Sequence, residues 1–335
     1  MGIPDAVPTL SVVVPVYGSA AILPTLVERF MAAMRAQGLL DRCELLLVND
    51  ASPDGSWAVI RDLAQRHPFV RGVDLRLNAG QHNATMAGLN QVRGRYVAVM
   101  DDDLQHPPEA LGDLVRALDA GYDVCYTRYV NRQHAWWKRL GSRFNDRVAT
   151  MLLGKPKGLY LSSFKAMRRE IADEVVKYDG PYAYLDGLIL DATRSITTID
   201  VAHESRLAGQ SHYSLRRLVS LWLKMATSFS VLPLRMATYL GFAIAALSIV
   251  MICFVAVMKF LHPEFPPGWA SLIATVLFIG GVQTLCIGIV GEYLGRTYLK
   301  LNGKRQFVIG HKTWEHTTQC TNPNSTATPT STTRC

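Results

Sequence analysis

Two uncharged apolar stretches constrain this chain more than any other feature in it. Residues 237–258 and 269–290 each run for 22 positions without an Asp, Glu, Lys or Arg. As α-helices they would rise about 33 Å, enough to cross a hydrocarbon core of about 30 Å. Neither shows the polar stripe that a core helix of a soluble domain turns to water. The sequence therefore predicts transmembrane helices at 236–260 and 269–291, joined by a short external hairpin at 261–268. Arg206, Arg216, Arg217, Lys224 and Arg235 precede the first span, and Arg296, Lys300, Lys304, Arg305 and Lys312 follow the second. The hairpin carries only His262 and Glu264. The positive-inside rule then puts both termini, and everything before the first span, in the cytoplasm.

Ahead of the first span, Leu215, Leu218, Val219, Trp222, Met225, Ala226 and Phe229 recur at helical spacing, opposite Arg216, Arg217, Ser220 and Lys224. This pattern predicts an amphipathic helix over 213–235 lying on membrane lipids, its basic face among anionic headgroups. The net charge of +8 and a mean hydropathy of +0.11 fit such a protein. Because the excess cations flank the spans, a membrane surface accounts for them and no nucleic acid is required. Six cysteines without a CxxC pair argue against a zinc ribbon or a disulfide scaffold, and are read as reduced thiols. The first residues show neither a basic n-region nor a long apolar run, so no export signal is expected for the N-terminal half. From 316 the tail is low in complexity and is expected to be disordered.

Residues 1–212 read as a separate cytosolic domain. Short β-branched runs at 10–14, 44–48, 70–75, 96–100 and 122–126 alternate with helical patterns. The helices are expected at 56–66, at 80–92 and through the face Leu23, Leu26, Val27, Phe30 and Met34. This alternation predicts an α/β fold with a mainly parallel sheet covered on both faces, and ligands at the carboxyl ends of its strands. There stand Pro15-Val16-Tyr17, Asn49-Asp50-Ala51-Ser52 and Asp101-Asp102-Asp103-Leu104-Gln105. No GxGxxG opens the first helix and no GxxxxGK[ST] occurs, which counts against dinucleotide-binding and P-loop folds.

Three adjacent carboxylates repel one another unless a cation or hydrogen-bond donors compensate. On an extended segment, Asp101, Asp103 and Gln105 would point the same way and converge on one ion. An all-oxygen set suits Mg²⁺ or Mn²⁺ completed by diphosphate oxygens; the bland reading is a solvated acidic loop. Arg128 is expected to follow the strand at 122–126. Arg206, Ser211 and His212, just ahead of the interfacial helix, would face a phosphate carried at the membrane surface. Trp136 and Trp137 either cover that entrance or pack as core.

Taken together, VVVPVY (12–17), VNDASPDGS (48–56), NAGQHNATMAG (78–88), DDDLQHPPE (101–109), RLAGQSHYS (206–214) and GEYLGRTY (291–298) resemble the family 2 glycosyltransferases of GT-A fold. More narrowly, they resemble the polyisoprenyl-phosphate glycosyltransferases, among them dolichyl-phosphate mannose synthases and bacterial undecaprenyl-phosphate sugar transferases. The resemblance implies that Pro15, Tyr17, Val48 and Asp50 hold the nucleotide. It also implies that Asp101 and Asp102 line the diphosphate and sugar, and that Asp103 and Gln105 share a metal with Asp101. Arg128, Arg206 and position 212 would contact phosphates of donor or lipid. The implied partners are a nucleotide-sugar, UDP-linked, and a polyprenyl phosphate; the implied setting is the cell inner membrane, in a homo-oligomer such as a tetramer. Asp103 and Arg206 are the implied catalytic pair.

Three positions depart from the family pattern. Gly18-Ser19 stands where relatives have Asn-Glu, Ser211-His212-Tyr213 replaces Ser-Lys-Tyr, and Ser162-Ser163-Phe164-Lys165 lacks an Asp that some relatives place before the Phe. A processive polysaccharide synthase would carry a Gln-x-x-Arg-Trp signature, whereas 133–137 reads QHAWW. A non-catalytic membrane adaptor or lipid-carrier flippase subunit with a degenerate nucleotide fold is the alternative from outside enzymes.

Overall fold

The apolar runs and amphipathic helices of the N-terminal half assemble around one sheet. The computed structural model describes residues 7–130, 155–156, 159–180, 183–202, 232–261 and 268–315. The elements are β1 (Leu10–Val16), α1 (Leu23–Ala36), β2 (Cys43–Asn49), α2 (Ser56–Arg66), β3 (Val70–Leu75), α3 (Gln81–Leu89), β4 (Tyr96–Val99) and α4 (Leu111–Asp119). They continue through β5 (Val124–Val130), β6 (Lys165–Arg168), α5 (Arg169–Val176), α6 (Leu185–Ala192), β7 (Ile196–Ala202), α7 (Leu232–Leu261), α8 (Trp269–Leu301) and β8 (Ile309–Lys312).

The strand order is β7-β5-β6-β4-β1-β2-β3-β8. β1, β2, β3 and β4 run parallel, as do β5 and β7, while β6 and β8 enter antiparallel. Alternation along β1 sorts the core into two layers: Val12 and Val14 face α1, α2 and α4, and Val13 faces α3, α5 and α6. The α1 positions Leu23, Leu26, Val27, Phe30 and Met34 are all fully buried on the first layer, as their spacing predicts. β5 is displaced from its expected place, beginning at Val124 and continuing to Val130, so Arg128 lies inside it.

α7 and α8 are long and apolar enough to cross a membrane. Their large side chains are exposed, Phe260 at 87% and Ile287 at 71%. α8 continues to Leu301, ten residues past the expected end of the second span. The chain then returns to the sheet, where β8 pairs with β3 as Val73↔Lys312, Asp74↔His311 and Leu75↔Ile309. Residues of the expected cytosolic tail thus complete the sheet of the N-terminal domain, and both ends of the helical pair connect to that one sheet. The interfacial helix, the external hairpin and the tail from 316 lie outside the described residues.

Two interactions hold this outer edge. Gly72 N donates to Thr313 Oγ1 at 3.0 Å and Thr313 N donates to the Gly72 carbonyl at 3.0 Å. A Cβ on Gly72 would stand 2.4 Å from Ile60 Cγ2 and 2.8 Å from Thr313 Cγ2, so only glycine admits the tail here. Deeper in, the Glu44 carboxylate on β2 is 1% exposed. It accepts from Ser11 Oγ (2.6 Å), Arg93 N (2.8 Å), Arg71 Nη1 (2.9 Å) and Arg93 Nη2 (3.0 Å). Burial alone would raise its pKa, but the bonds from Ser11, Arg93 and Arg71 outweigh that and hold it below the ordinary carboxylate range.

Gly72→Ala should cost about 1–3 kcal/mol by overpacking and should speed hydrogen exchange at 306–315; unchanged exchange there would refute the docking role. Because the folded Glu44 pKa is depressed, its stabilisation is complete above about pH 4.3 and fades as pH falls through the lowered value. Glu44→Gln should flatten that acid limb in denaturation curves and cost about 3–5 kcal/mol at neutral pH.

Candidate active site

The site lies where β1 outlasts its neighbour. Met100 N donates to the Val13 carbonyl at 3.0 Å, and beyond this point β4 turns away. Pro15, two residues on, faces the same side, so its missing N–H falls where no strand remains to pair with it. The gap opens into a cleft of about 460 Å³ lined by Pro15, Val16, Tyr17, Asp50, Asn78, Gly80, Gln81, Asp101, Asp102 and Asp103. These come from the carboxyl ends of β1, β2, β3 and β4, as expected for a parallel α/β sheet.

Each carboxylate has its own donors. Asp50 Oδ1 accepts from Ala79 N (2.6 Å) and Oδ2 from Gly80 N (2.9 Å). Gly80, at φ +83, supplies the backbone turn that lets both amides reach one carboxylate ahead of α3. Asp101 Oδ1 accepts from Gln81 Nε2 (2.6 Å). Asp102 Oδ2 accepts from Ser19 Oγ (2.6 Å) and Tyr17 N (3.2 Å). Burial pushes the Asp102 pKa up, the Ser19 and Tyr17 bonds pull it back, and repulsion from Asp101 and Asp103 adds to the rise. Asp103 Oδ1 accepts from Gln105 N (3.2 Å).

This last bond differs from the extended backbone expected for the acidic segment. The segment is not extended: Leu104 takes φ +61, and the chain bends so that Gln105 offers its amide to Asp103 and lies outside the cleft lining. Asp101 and Asp103 remain on the cleft wall as hard oxygen donors. No cage of three or more His, Cys, Asp or Glu side chains exists among the described residues. The set fits Mg²⁺ or Mn²⁺ of the kind held by one or two carboxylates and completed by a ligand's phosphates.

Other expected residues fall elsewhere. The Val48 side chain is fully buried in the second core layer. Arg128, on the exposed side of β5, forms a two-pronged pair with Asp200 on the neighbouring β7 (2.6 and 2.9 Å), which raises the arginine pKa and lowers the aspartate's. Arg206, Ser211, His212, Trp136 and Trp137 lie outside the described residues. Tyr17 stands at the mouth, 58% exposed.

Nothing in the local pattern marks His106, although it sits inside the acidic motif. His106 is buried, with its ring stacked on Phe164 (5.1 Å, 10°) and its Nδ1 accepting the Asp101 amide at 2.9 Å. That bond fixes the tautomer with the proton on Nε2, which lies 3.3 Å from Ser163 Oγ and 3.7 Å from Asp101 Oδ2. Ser19 was noticed for the carboxylate it replaces, yet here it secures Asp102. Lys165, of the 162–165 stretch, points inward to a buried pair with Asp186.

The chain matches the models of glycosyl transferase family 2 over residues 11–176 and of the GtrB C-terminal hairpin over 232–297. It is 34% identical over 311 residues to the undecaprenyl-phosphate 4-deoxy-4-formamido-L-arabinose transferase of Enterobacter sp. (strain 638), covering 91% of this chain and 94% of that one. The enzyme of the same name from Proteus mirabilis (strain HI4320) is 33% identical over 306 residues, covering 90% and 92%. Among solved structures, Mycobacterium tuberculosis glucosyl-3-phosphoglycerate synthase in complex with Mn²⁺, UDP-glucose and phosphoglyceric acid matches with TM-score 0.46 and 21% identity, over 66% of this chain and 78% of that one.

His106→Phe keeps the stacked ring but leaves the Asp101 amide without its acceptor. Turnover should fall on the order of tenfold to a hundredfold through misplaced carboxylates, while thermal stability changes little. His106→Asn, whose Oδ1 can accept that amide, should recover part of the loss; equal loss in both variants would reduce His106 to a packing residue.

Proposed function

Because this chain belongs to the family 2 glycosyltransferases and carries their two-helix C-terminal hairpin, we propose that it transfers a sugar from a UDP-sugar to undecaprenyl phosphate at the cytoplasmic face of a bacterial inner membrane. The observation that carries the reading is the convergence of Tyr17, Asp50, Asp101, Asp102 and Asp103 on one strand-end cleft, in a chain whose sheet is tied at both ends to a membrane-length hairpin. The relatives' names point to the sugar, a 4-deoxy-4-formamido-L-arabinose or a close analogue.

The acceptor is a phosphate monoester with a second pKa of about 6, so it arrives already ionised at neutral pH. A dedicated carboxylate base is then unnecessary, which fits Ser162-Ser163 before Phe164. One oxygen of the lipid phosphate attacks the anomeric carbon in line, the bond from that carbon to the nucleoside diphosphate breaks, and the configuration inverts. The protein's work is alignment and neutralisation of the leaving diphosphate. Pro15, Tyr17 and Asp50 position the nucleotide, and Asp102, steadied by Ser19, faces the sugar. Asp101 and Asp103 would hold Mg²⁺ or Mn²⁺, which supplies positive charge against the developing diphosphate. Arg206, Ser211 and His212 take the lipid phosphate in this reading; Arg128, engaged with Asp200, is left out of it.

The test is transfer of labelled sugar from a panel of UDP- and GDP-sugars, UDP-4-deoxy-4-formamido-L-arabinose included, to undecaprenyl phosphate by the full chain, with Mg²⁺ or Mn²⁺ and with EDTA. One lipid product that EDTA abolishes is expected. Asp103→Ala should lower turnover by about a hundredfold or more while the protein stays folded. Undiminished transfer in EDTA rejects the metal, and no product from any donor rejects the reaction in favour of the adaptor reading.

A further inference from the structure

The strand that closes the sheet also walls a cavity of about 720 Å³, larger than the strand-end cleft. One wall is a single face of α2, formed by Trp57, Arg61, Ala64 and Gln65; the other is the tail from His311 to Glu315. Its floor is the start of β3, with Arg71, and the loop residue Arg93. Since β8 runs antiparallel to β3, the cavity sits at the amino end of β3. That is roughly 17 Å along the strand from the end that feeds the acidic cleft.

The lining is cationic. Arg61, Arg71, Arg93 and Lys312 contribute four positive charges, against Glu315 at the rim and Glu44 beneath the floor. Glu44 anchors Arg71 and Arg93, and Arg71 lies flat on the Trp314 ring, 3.8 Å from its centroid. Those two guanidiniums are therefore fixed before any ligand arrives. Lys312 Nζ reaches Glu315 at 2.7 Å, and Arg61 makes no ion pair or hydrogen bond among the described residues. The surplus of two positive charges calls for a multiply charged anion, because a single carboxylate would leave half of it uncompensated. Arginine forks match phosphate oxygens in geometry, and the volume suits a ligand of nucleotide size.

We propose that this cavity binds a polyphosphate group, free or carried by a nucleotide, and that the bound anion fastens the tail to the sheet by bridging Lys312 to Arg61. The site shares no lining residue with the acidic cleft. A smaller groove of about 430 Å³ does join it, through Trp57 and His311, to Asn49, Ala51 and Ser52, the residues flanking Asp50. Occupancy would therefore be felt next to the nucleotide-holding loop. The proposal does not depend on which reaction the acidic cleft performs.

The experiment is equilibrium binding of inorganic pyrophosphate and of ADP to the full chain in detergent, with EDTA present. Without a divalent cation the Asp101–Asp103 cluster repels such ligands, so the acidic cleft stays silent. Saturable binding is expected for at least one probe. It should weaken about tenfold or more in Arg61→Ala and in Lys312→Ala, and slow hydrogen exchange at 306–315. ADP binding more than about tenfold tighter than pyrophosphate would assign the ligand as a nucleotide, using the indole walls; similar affinities would assign an inorganic polyphosphate. No saturable binding of either probe up to about 1 mM, or binding unchanged in the Arg61→Ala/Lys312→Ala double variant, would each overturn the proposal.

Discussion

Mutual repulsion among Asp101, Asp102 and Asp103 is the constraint around which the strand-end cleft is built. Three consecutive carboxylates at the end of a buried strand would expel the loop into solvent if they shared one environment. Instead each is sent to a different element: Asp101 to Gln81 at the start of α3, Asp102 to Ser19 and Tyr17 after β1, and Asp103 to the amide two residues ahead of it. The left-handed turn at Leu104 makes this divergence possible. His106 closes it by holding the Asp101 amide from behind. The loop therefore holds three negative charges at fixed places, each on its own donor.

A second consequence concerns the membrane. A domain joined to a helical pair only at one end could tumble on its linker, but here the chain re-enters the sheet after α8. β8 needs a partner strand, and β3 offers an otherwise open edge. The glycine at position 72 and the Arg71–Trp314 stack make that edge receptive to this particular segment. Closing the edge removes a site for unwanted strand pairing and gives the domain a second chain connection to the helical pair.

Much of this was legible in the sequence, and the exceptions share a cause. β3 and α2 fall at the positions their patterns predict, and β1, β2 and β4 lie within two residues, because alternation and buried runs are local signals. The acidic loop was legible as a site from its place after a strand. What local pattern cannot report is a partner distant in sequence. Arg128 reads as a free cation until β5 pairs with β7 and brings Asp200 beside it in register. β8 is four residues long and its partner lies more than 230 positions earlier, so it reads as tail. An extended strand would carry Gln105 to the same side as Asp101 and Asp103, and one positive φ at Leu104 bends the chain away from that path.

The departures from the family pattern acquire physical meaning in the same way. Replacement of a Glu by Ser19 exchanges a charge for a hydroxyl beside three existing carboxylates. Its Oγ donates where a carboxylate could only repel, so the substitution lowers the electrostatic strain on Asp102. Asp50, across the cleft, has both oxygens oriented by backbone amides instead of by a side chain. A carboxylate held in this way loses little conformational freedom when a base docks against it. The cleft thus gives up charge at Ser19, where three carboxylates already stand together, and keeps Asp50 pre-set by the backbone.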